Sequence, residues 1–317
     1  MTAAVSVIIP AFNEAPSIGQ VVARVRHVLE QSSIPAQVLV VDDGSTDRTA
    51  DVAAEHGALV VSHPENAGYG RSLKTGILRA AHDLIAITDA DGTYPVERLP
   101  ELLALSDRFD MVVGQRTGPA YSGNTAKRLA RTMFRLIGEF AAGRKIPDIN
   151  SGLRVFRRSQ ILPFFPHISS GFSFTTTATL VYLLSGLFVH YVPIEYHPRQ
   201  GRSKVRYLRD TLRASQIVVE AILRCNPVKV FLLLAAPFLG AACLAGMAAL
   251  LLWSWSWLTI ALTLLHTGVV VLALGFVAVA LLPRPAWSDA WRNRPAGSAE
   301  AAAGNGSAPA ATVARDA

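Results

Sequence analysis

The chain opens on an alternation of short apolar runs with longer segments whose apolar positions recur every three or four residues. "VSVII" (5–9), "QVLVV" (37–41), "ALVV" (58–61), "LIAIT" (84–88) and "DMVVG" (110–114) have the length and β-branched content of buried strands. Between them the pattern predicts three helices. The first runs from Pro16 to Gln31, with proline near its first turn. The second follows "DGST", with Asp47 in its first turn and Gly57 just past its end. The third runs from Gly70 to Ala81. Continuous apolar strands separated by helices indicate an α/β fold with a mainly parallel sheet covered on both faces.

Beyond the fifth strand the pattern changes. From 123 to 142, Leu129, Met133, Leu136, Ile137 and Phe140 recur at helical spacing beside the basic Lys127, Arg128, Arg131 and Arg135, which predicts an amphipathic helix. A second stripe, Val205, Leu208, Leu212, Val219 and Ile222, is accompanied by Arg202, Lys204, Arg206, Arg209 and Arg213, and predicts a helix lying in a membrane interface. Residues 230–252 and 258–282 are apolar almost throughout, each long enough to cross a hydrocarbon core of roughly 30 Å. The expected organisation is a catalytic-type domain over 1–201, an interfacial helix over 202–227, a two-helix transmembrane hairpin over 228–283 and a tail over 284–317 whose Ala-, Gly-, Ser- and Pro-rich composition predicts disorder. No internal repeat is present.

Composition sharpens this picture. Of 317 residues, 51% are hydrophobic and only 17% charged, and the excess of apolar residues lies in the two C-terminal runs. The opening "MTAAVSVIIPAFNE" lacks a basic leader, so the expectation is that the first 227 residues are not translocated. The formal charge of +7 is concentrated between Arg199 and Lys229, a placement that suits anionic headgroups or a phosphorylated lipid. Without a zinc-finger, RNP or basic-zipper pattern, nucleic acid is not an expected partner. The loop "WSWSW" (253–257) carries three tryptophans and no charge, whereas Arg224 and Lys229 precede the hairpin and Arg284, Arg292 and Arg294 follow it. The positive-inside rule then puts the globular domain and both termini in the cytoplasm. Ala242 and Gly246 suggest close approach of the spans, His266 is expected to bond across the hairpin, and Cys225 and Cys243 read as packing residues.

The candidate chemistry lies at strand ends. "LIAITDADGTYP" (84–95) ends an apolar run in Asp89 and Asp91, whose side chains point the same way in extended backbone. Two converging carboxylates, with no His or Cys nearby, suit a hard divalent cation, Mg²⁺ or Mn²⁺. "VVDDGSTDRT" (40–49) brings Asp42 and Asp43 to a second strand end, where a carboxylate can accept from a base N–H or a ribose hydroxyl. "NAGYGRSLKTG" (66–76) resembles a Walker A loop but has Leu73 where the second glycine is required; its cations Arg71 and Lys74 remain candidates for approaching a diphosphate. In parallel sheets ligands bind beyond the carboxyl ends of the strands, so Glu14, Asp42, Asp43, Asp89, Asp91 and Arg116 should converge on one edge.

"VSVIIPAFNEA", "VVDDGSTDRT", "NAGYGRSLKTG", "TDADGTYP", "VVGQR", "SGLRVF" and "YHPRQGRSKVRYLRD", in that order, resemble the family-2 glycosyltransferases of GT-A fold, and more narrowly the dolichol-phosphate mannosyltransferase group. The resemblance covers roughly residues 5–213. It implies that Pro10, Phe12, Glu14, Val41 and Asp43 hold base and ribose, that Asp89, Ala90 and Asp91 form the metal and diphosphate site, and that Arg116 contacts phosphate. It further implies that Arg199, Arg202 or Lys204 clamps the donor diphosphate or the acceptor phosphate, and that Arg128 and Thr132, one helical turn apart, hold the lipid phosphate. Thr93 stands where some relatives have a third metal ligand, a weaker donor than a carboxylate.

The resemblance therefore implies an inverting transfer of a hexose from a nucleotide diphosphate sugar, of the GDP-mannose or UDP-glucose type, to a polyprenyl phosphate, giving a β-linked product. The Q-x-x-R-W motif of sugar-polymerising relatives is absent. Two alternatives stay open. A saccharide or protein hydroxyl acceptor would need a general base, for which Asp148 in "DINSGLR" is the candidate. A non-catalytic membrane protein that binds nucleotide sugar would not need the intact Asp89, Asp91 and Arg116.

Overall fold

A computed structural model of the protein describes residues 4–119, 132, 135–136, 138–140, 142–171, 173–198 and 227–281. Its centre is a seven-stranded sheet of order β3-β2-β1-β4-β6-β5-β7. The strands are β1 Val5–Ala11, β2 Ala36–Asp42, β3 Leu59–Ser62, β4 Leu84–Ile87, β5 Met111–Thr117, β6 Arg154–Arg157 and β7 Val189–Glu195. The first five lie where the apolar runs predict them. β6 pairs antiparallel with both β4 and β5, and every other pairing is parallel, so six strands point one way and β6 the other.

Period-two alternation splits the sheet residues between two cores. Ile8, Leu39, Val41, Ile85, Ile87, Met111, Val113 and Phe156 face one core, closed by α3 (Tyr69–Arg79) and by a helix over Phe174–Leu184. Val5, Val7, Ile9, Val38, Val40, Ala86, Val112 and Val155 face the other, closed by α1 (Ala15–Gln31) and by a short helix over Leu99–Ala104. The fully buried Val, Ile and Leu side chains each contribute roughly 1.5–3 kcal/mol. α2 (Thr49–Glu55) begins two residues later than Asp47, whose Oδ1 accepts from the Thr49 amide at 3.0 Å, and Gly57 leaves the helix with φ 84°. In chain order these helices are α1, α2, α3, then α4 for Leu99–Ala104 and α5 for Phe174–Leu184.

Two long helices complete the described residues: α6, Pro227–Leu252, and α7, Trp255–Leu281. Both are long and apolar enough to cross a membrane. They pack on each other along a seam of small residues at heptad spacing: Ala235, Ala242 and Ala249 on α6, Ala261, Gly268 and Gly275 on α7. A Cβ on Gly268 would lie 2.6 Å from Leu239 and one on Gly275 would lie 2.6 Å from Phe231, so these two glycines let the helices meet. Ala242 takes the place in the seam that its size suggests, and a Cβ on Gly246 would lie 4.0 Å from that of Ala261. His266 does not bond across the hairpin: it is exposed on the opposite side of α7, two residues from Gly268 and so more than half a turn away from the seam.

The amphipathic helix expected over 123–142 falls largely outside the described residues. Its described members, Thr132, Arg135, Leu136, 138–140 and Ala142, are helical. Gly138 faces Ile146, Ile149 and Leu180, whereas Leu136 and Phe140 are exposed. The apolar stripe is therefore not simply turned inward. Phe140 instead meets α6, where the Lys229 ammonium lies over its ring and donates to its carbonyl at 3.4 Å. The helix expected over 205–222, the tail, and Arg128, Arg199, Arg202 and Lys204 lie outside the described residues.

Candidate active site

Because β1, β2, β4 and β5 are co-directional, their C-terminal ends share one edge, and the acids and the arginine read from the sequence converge there. Pro10 and Val41 are direct register partners, as are Ala11 and Asp42. The loops that follow are tied together: the Asn13 amide donates to Ser45 Oγ at 2.9 Å, and Asn13 Oδ1 accepts from the Thr46 amide at 2.7 Å. Phe12 and Glu14 emerge half-buried from the end of β1, and Glu14 begins α1, its carbonyl accepting from the amides of Ser17 and Ile18.

Asp43 is buried and already well engaged. Its Oδ1 accepts from the Ala67 amide at 3.0 Å and from His63 Nδ1 at 2.7 Å, and its Oδ2 accepts from the Gly68 amide at 2.8 Å. A carboxylate only accepts, so His63 carries its proton on Nδ1; Nε2 reaches the Thr75 hydroxyl at 2.9 Å. Three of the roughly four acceptor positions of Asp43 are therefore filled by the protein, and the carboxylate caps the approach to α3. His63 stands one residue past β3, outside every motif picked from the sequence, and only proximity reveals it.

Asp89 and Asp91 follow β4 in a turn completed by Gly92, which has φ 71°. Asp91 is buried, and its Oδ1 accepts from Thr93 twice: from the hydroxyl at 2.6 Å and from the amide at 3.2 Å. The residue in the third-ligand position thus orients the second acid. Asp89 is half-buried, with Oδ1 accepting from the Tyr69 hydroxyl at 2.9 Å. Burial, reinforced by the charge of Asp89, holds the Tyr69 phenol well above its ordinary pKa, so it stays a donor. Behind Asp89 lies Gly152, where a Cβ would come within 2.8 Å of Oδ1 and 2.9 Å of Oδ2. The Gly152 amide donates to the Tyr94 hydroxyl at 2.6 Å, and Tyr94 meets Tyr196 edge-on with centroids 5.3 Å apart. Ala90, between the acids, is buried.

Arg116, near the end of β5, is held by Asp148. Nε donates to Oδ2 at 2.8 Å, Nη2 donates to Oδ1 at 2.9 Å, and the Arg116 amide adds a bond to Oδ2 at 3.1 Å. The Asn150 amide reaches Oδ1 at 3.2 Å, so all of the roughly four acceptor positions of Asp148 are occupied. The face of Tyr196 covers the guanidinium at 5.5 Å. Beneath this loop the fully buried Arg154 donates to the carbonyls of Ser151, Ile149 and Thr175 and to the Thr179 hydroxyl. Burial lowers its pKa, but five contacts to oxygen match the five N–H groups of the guanidinium.

Lys74 takes a different place from the one expected. Its Nζ donates to the carbonyls of Phe165 (2.9 Å) and Ile168 (2.5 Å) and to the Ser170 hydroxyl (3.1 Å). Three acceptors match the three ammonium protons, so Lys74 fastens α3 to the 165–170 loop rather than reaching for a diphosphate.

Asp89 and Asp91 supply hard oxygen donors, and the described residues hold no cluster of three His, Cys, Asp or Glu side chains that would make a closed protein cage. That donor set fits Mg²⁺ or Mn²⁺, which take one or two carboxylates and complete their shell from water or phosphate oxygens.

The mainly parallel sheet carries acids and one clamped arginine along its carboxyl edge, and together with the matches that follow it defines the class as a glycosyltransferase of GT-A fold. The model of the glycosyl transferase family 2 matches residues 6–162. The dolichyl-phosphate hexose transferase of Haloferax volcanii is 31% identical over 202 residues, which span 63% of this chain and 86% of that protein. The chain belongs to glycosyl transferase family 2. The low-salt glycan biosynthesis hexosyltransferase Agl6 of the same organism is 33% identical over 270 residues, 83% of this chain but only 63% of that longer protein. Among solved structures, glucosyl-3-phosphoglycerate synthase from Mycobacterium tuberculosis, in complex with Mn²⁺, UDP-glucose and phosphoglyceric acid, shares the fold with a TM-score of 0.56 at 19% identity, over 69% of this chain and 80% of that one.

Proposed function

We propose that the protein transfers a hexose from a nucleotide diphosphate sugar to a polyprenyl or dolichyl phosphate at the cytoplasmic face of a membrane, with inversion to a β-linked product. The observation that carries this reading is the placement of Asp89 and Asp91 beside the Arg116–Asp148 pair on the edge where such sheets bind ligands. The dolichyl-phosphate transferase relative and the two membrane-length helices support the lipid acceptor.

In this reading Pro10, Phe12, Glu14, Val41 and Asp43 receive the nucleoside, and Ala90 leaves room for the diphosphate between the acids. Asp89 and Asp91 would hold Mg²⁺ or Mn²⁺, which supplies positive charge against the departing diphosphate. The donor's anomeric carbon gains a bond to an acceptor phosphate oxygen and loses its bond to the diphosphate, which leaves as nucleoside diphosphate. A phosphate monoester, with a second pKa of about 6, is already largely ionised at neutral pH and needs no general base. The saturated hydrogen bonding of Asp148 supports that reading, because no acceptor position is left on it to take a proton from a hydroxyl. Arg116 contributes phosphate affinity, and Arg128, Thr132, Arg199, Arg202 and Lys204 hold the lipid phosphate or the diphosphate. The basic residues flanking the hairpin and its charge-free tryptophan loop favour a cytoplasmic domain with cytoplasmic termini.

The test is a panel of GDP- and UDP-sugars offered with polyprenyl phosphate and Mn²⁺ or Mg²⁺, with mass spectrometry of the lipid. One sugar should appear on the lipid phosphate with release of nucleoside diphosphate. Transfer to an added saccharide or peptide, with the lipid untouched, would overturn the assignment.

A further inference from the structure

Residues 67 to 69 touch both halves of the site. The Ala67 and Gly68 amides donate to Asp43, and the next residue, Tyr69, the first of α3, donates its hydroxyl to Asp89. The Asp89 carboxylate fills the space beside Gly152 that any side chain at that position would take. Gly152 is in turn fixed by its bond to Tyr94 and by the Arg154 bonds to the Ser151 carbonyl. One carboxylate oxygen of Asp89 is thus held by a half-buried donor before any ligand arrives.

We propose that Tyr69 is a positioning residue for the cation site, fixing the Asp89 carboxylate through its hydroxyl so that the acid pair is preset for a divalent ion on a nucleoside diphosphate. This rests on the assignment of Asp89 and Asp91 as the cation ligands. The α3 entry then coordinates two tasks. Its backbone amides fix Asp43 on the nucleoside side, while its first side chain fixes Asp89 on the diphosphate side. Without the phenol oxygen, Asp89 loses a donor that holds one of its oxygens in place, which weakens the ion's affinity and leaves the nucleoside contacts in place.

The experiment uses full-length detergent-purified protein, with Mn²⁺ binding read by electron paramagnetic resonance in the presence of GDP or UDP. Metal-free nucleotide binding is read separately by calorimetry in EDTA. Tyr69→Phe should weaken Mn²⁺ roughly 10- to 100-fold and change metal-free nucleotide affinity by less than about twofold. Tyr69→4-aminophenylalanine, which restores a donor, should recover most of the Mn²⁺ affinity. Unchanged Mn²⁺ affinity in Tyr69→Phe, or equal losses in both measurements, would overturn the positioning role while leaving the functional assignment intact. Wild-type protein that binds nucleotide but no Mn²⁺ would overturn both. Should Tyr69→Phe fail to fold, the donor-free Tyr69→4-fluorophenylalanine protein makes the same comparison against the amino variant.

Discussion

Arg116 and Asp148, 32 residues apart in the chain, meet in a two-point ion pair with N···O distances of 2.8 and 2.9 Å. Both side chains are largely buried, and the carboxylate also accepts from two backbone amides, so the pair fixes the end of β5 against the loop before β6. Asp148→Asn leaves Arg116 without its counter-charge and should destabilise the protein by about 3 kcal/mol. The double variant Arg116→Met, Asp148→Leu should be the more stable of the two in thermal melts, because it buries no uncompensated charge. Transfer activity should be lost in the double variant; wild-type turnover there would remove Arg116 from the phosphate contacts.

Asp91→Asn keeps the shape of the turn and its bonds to Thr93 but removes one of two charges facing the proposed cation. Turnover should fall below detection, with a melting temperature within a few degrees of wild type. Saturating Mg²⁺ should not restore it, and EDTA should silence the wild-type enzyme in the same assay. Metal-independent turnover by wild type, or activity in Asp91→Asn, would count against the cation role.

Among the described residues Arg154 forms no ion pair with a carboxylate, yet it satisfies the carbonyls of Ser151, Ile149 and Thr175 in the floor of the site. Arg154→Met strands those acceptors, each at a cost of about 1–3 kcal/mol. The variant should unfold at markedly lower denaturant. Arg154→Lys should rescue little, because a lysine has three donors and no planar fork. Wild-type stability in either variant would mean that water replaces the guanidinium.

The seam between α6 and α7 is tested by cross-linking. In a background without Cys225 and Cys243, Gly246→Cys with Ala261→Cys should form a disulfide on mild oxidation, since the Cβ positions are 4.0 Å apart. Adding Gly268→Val should suppress it, because the new side chain occupies the space of Leu239. Equal yields in both proteins would show that the helices meet elsewhere.

Much of this molecule can be read from its sequence where one period dominates. β1 to β5 announce themselves as unbroken apolar runs, and the acids that end those runs land on one edge because the strands are co-directional. β6 and β7 are harder to see. Arg154 opens β6 with a charge that becomes visible as structural only when its oxygen partners are in view. His190 and Pro193 interrupt β7, and the proline is tolerated because β7 is an edge strand. The partners of the site residues were hidden for a different reason. Nothing local marks His63, Tyr69 or Gly152 as neighbours of Asp43 and Asp89, since the bonds join segments 20 or more residues apart. Lys74 reads as a phosphate ligand in sequence because its place in a glycine-rich segment says nothing of the three oxygens that the loop before α5 offers it. His266 has the composition of a helix-bridging residue but the wrong phase, two positions from Gly268 rather than three or four.

The reversed direction of β6 has an architectural outcome. β5 leaves the sheet at its carboxyl edge, and β6, running the opposite way, enters from that same edge, so the segment joining them begins and ends on one side of the sheet. That segment carries Thr132 and Asp148, and Asp148 is tied back to Arg116 at the end of β5. A connection that starts and ends on one edge can change in length with no change in strand order, so under the proposed function the receiver of the sugar could be exchanged without rebuilding the strands that end in Asp43, Asp89 and Asp91.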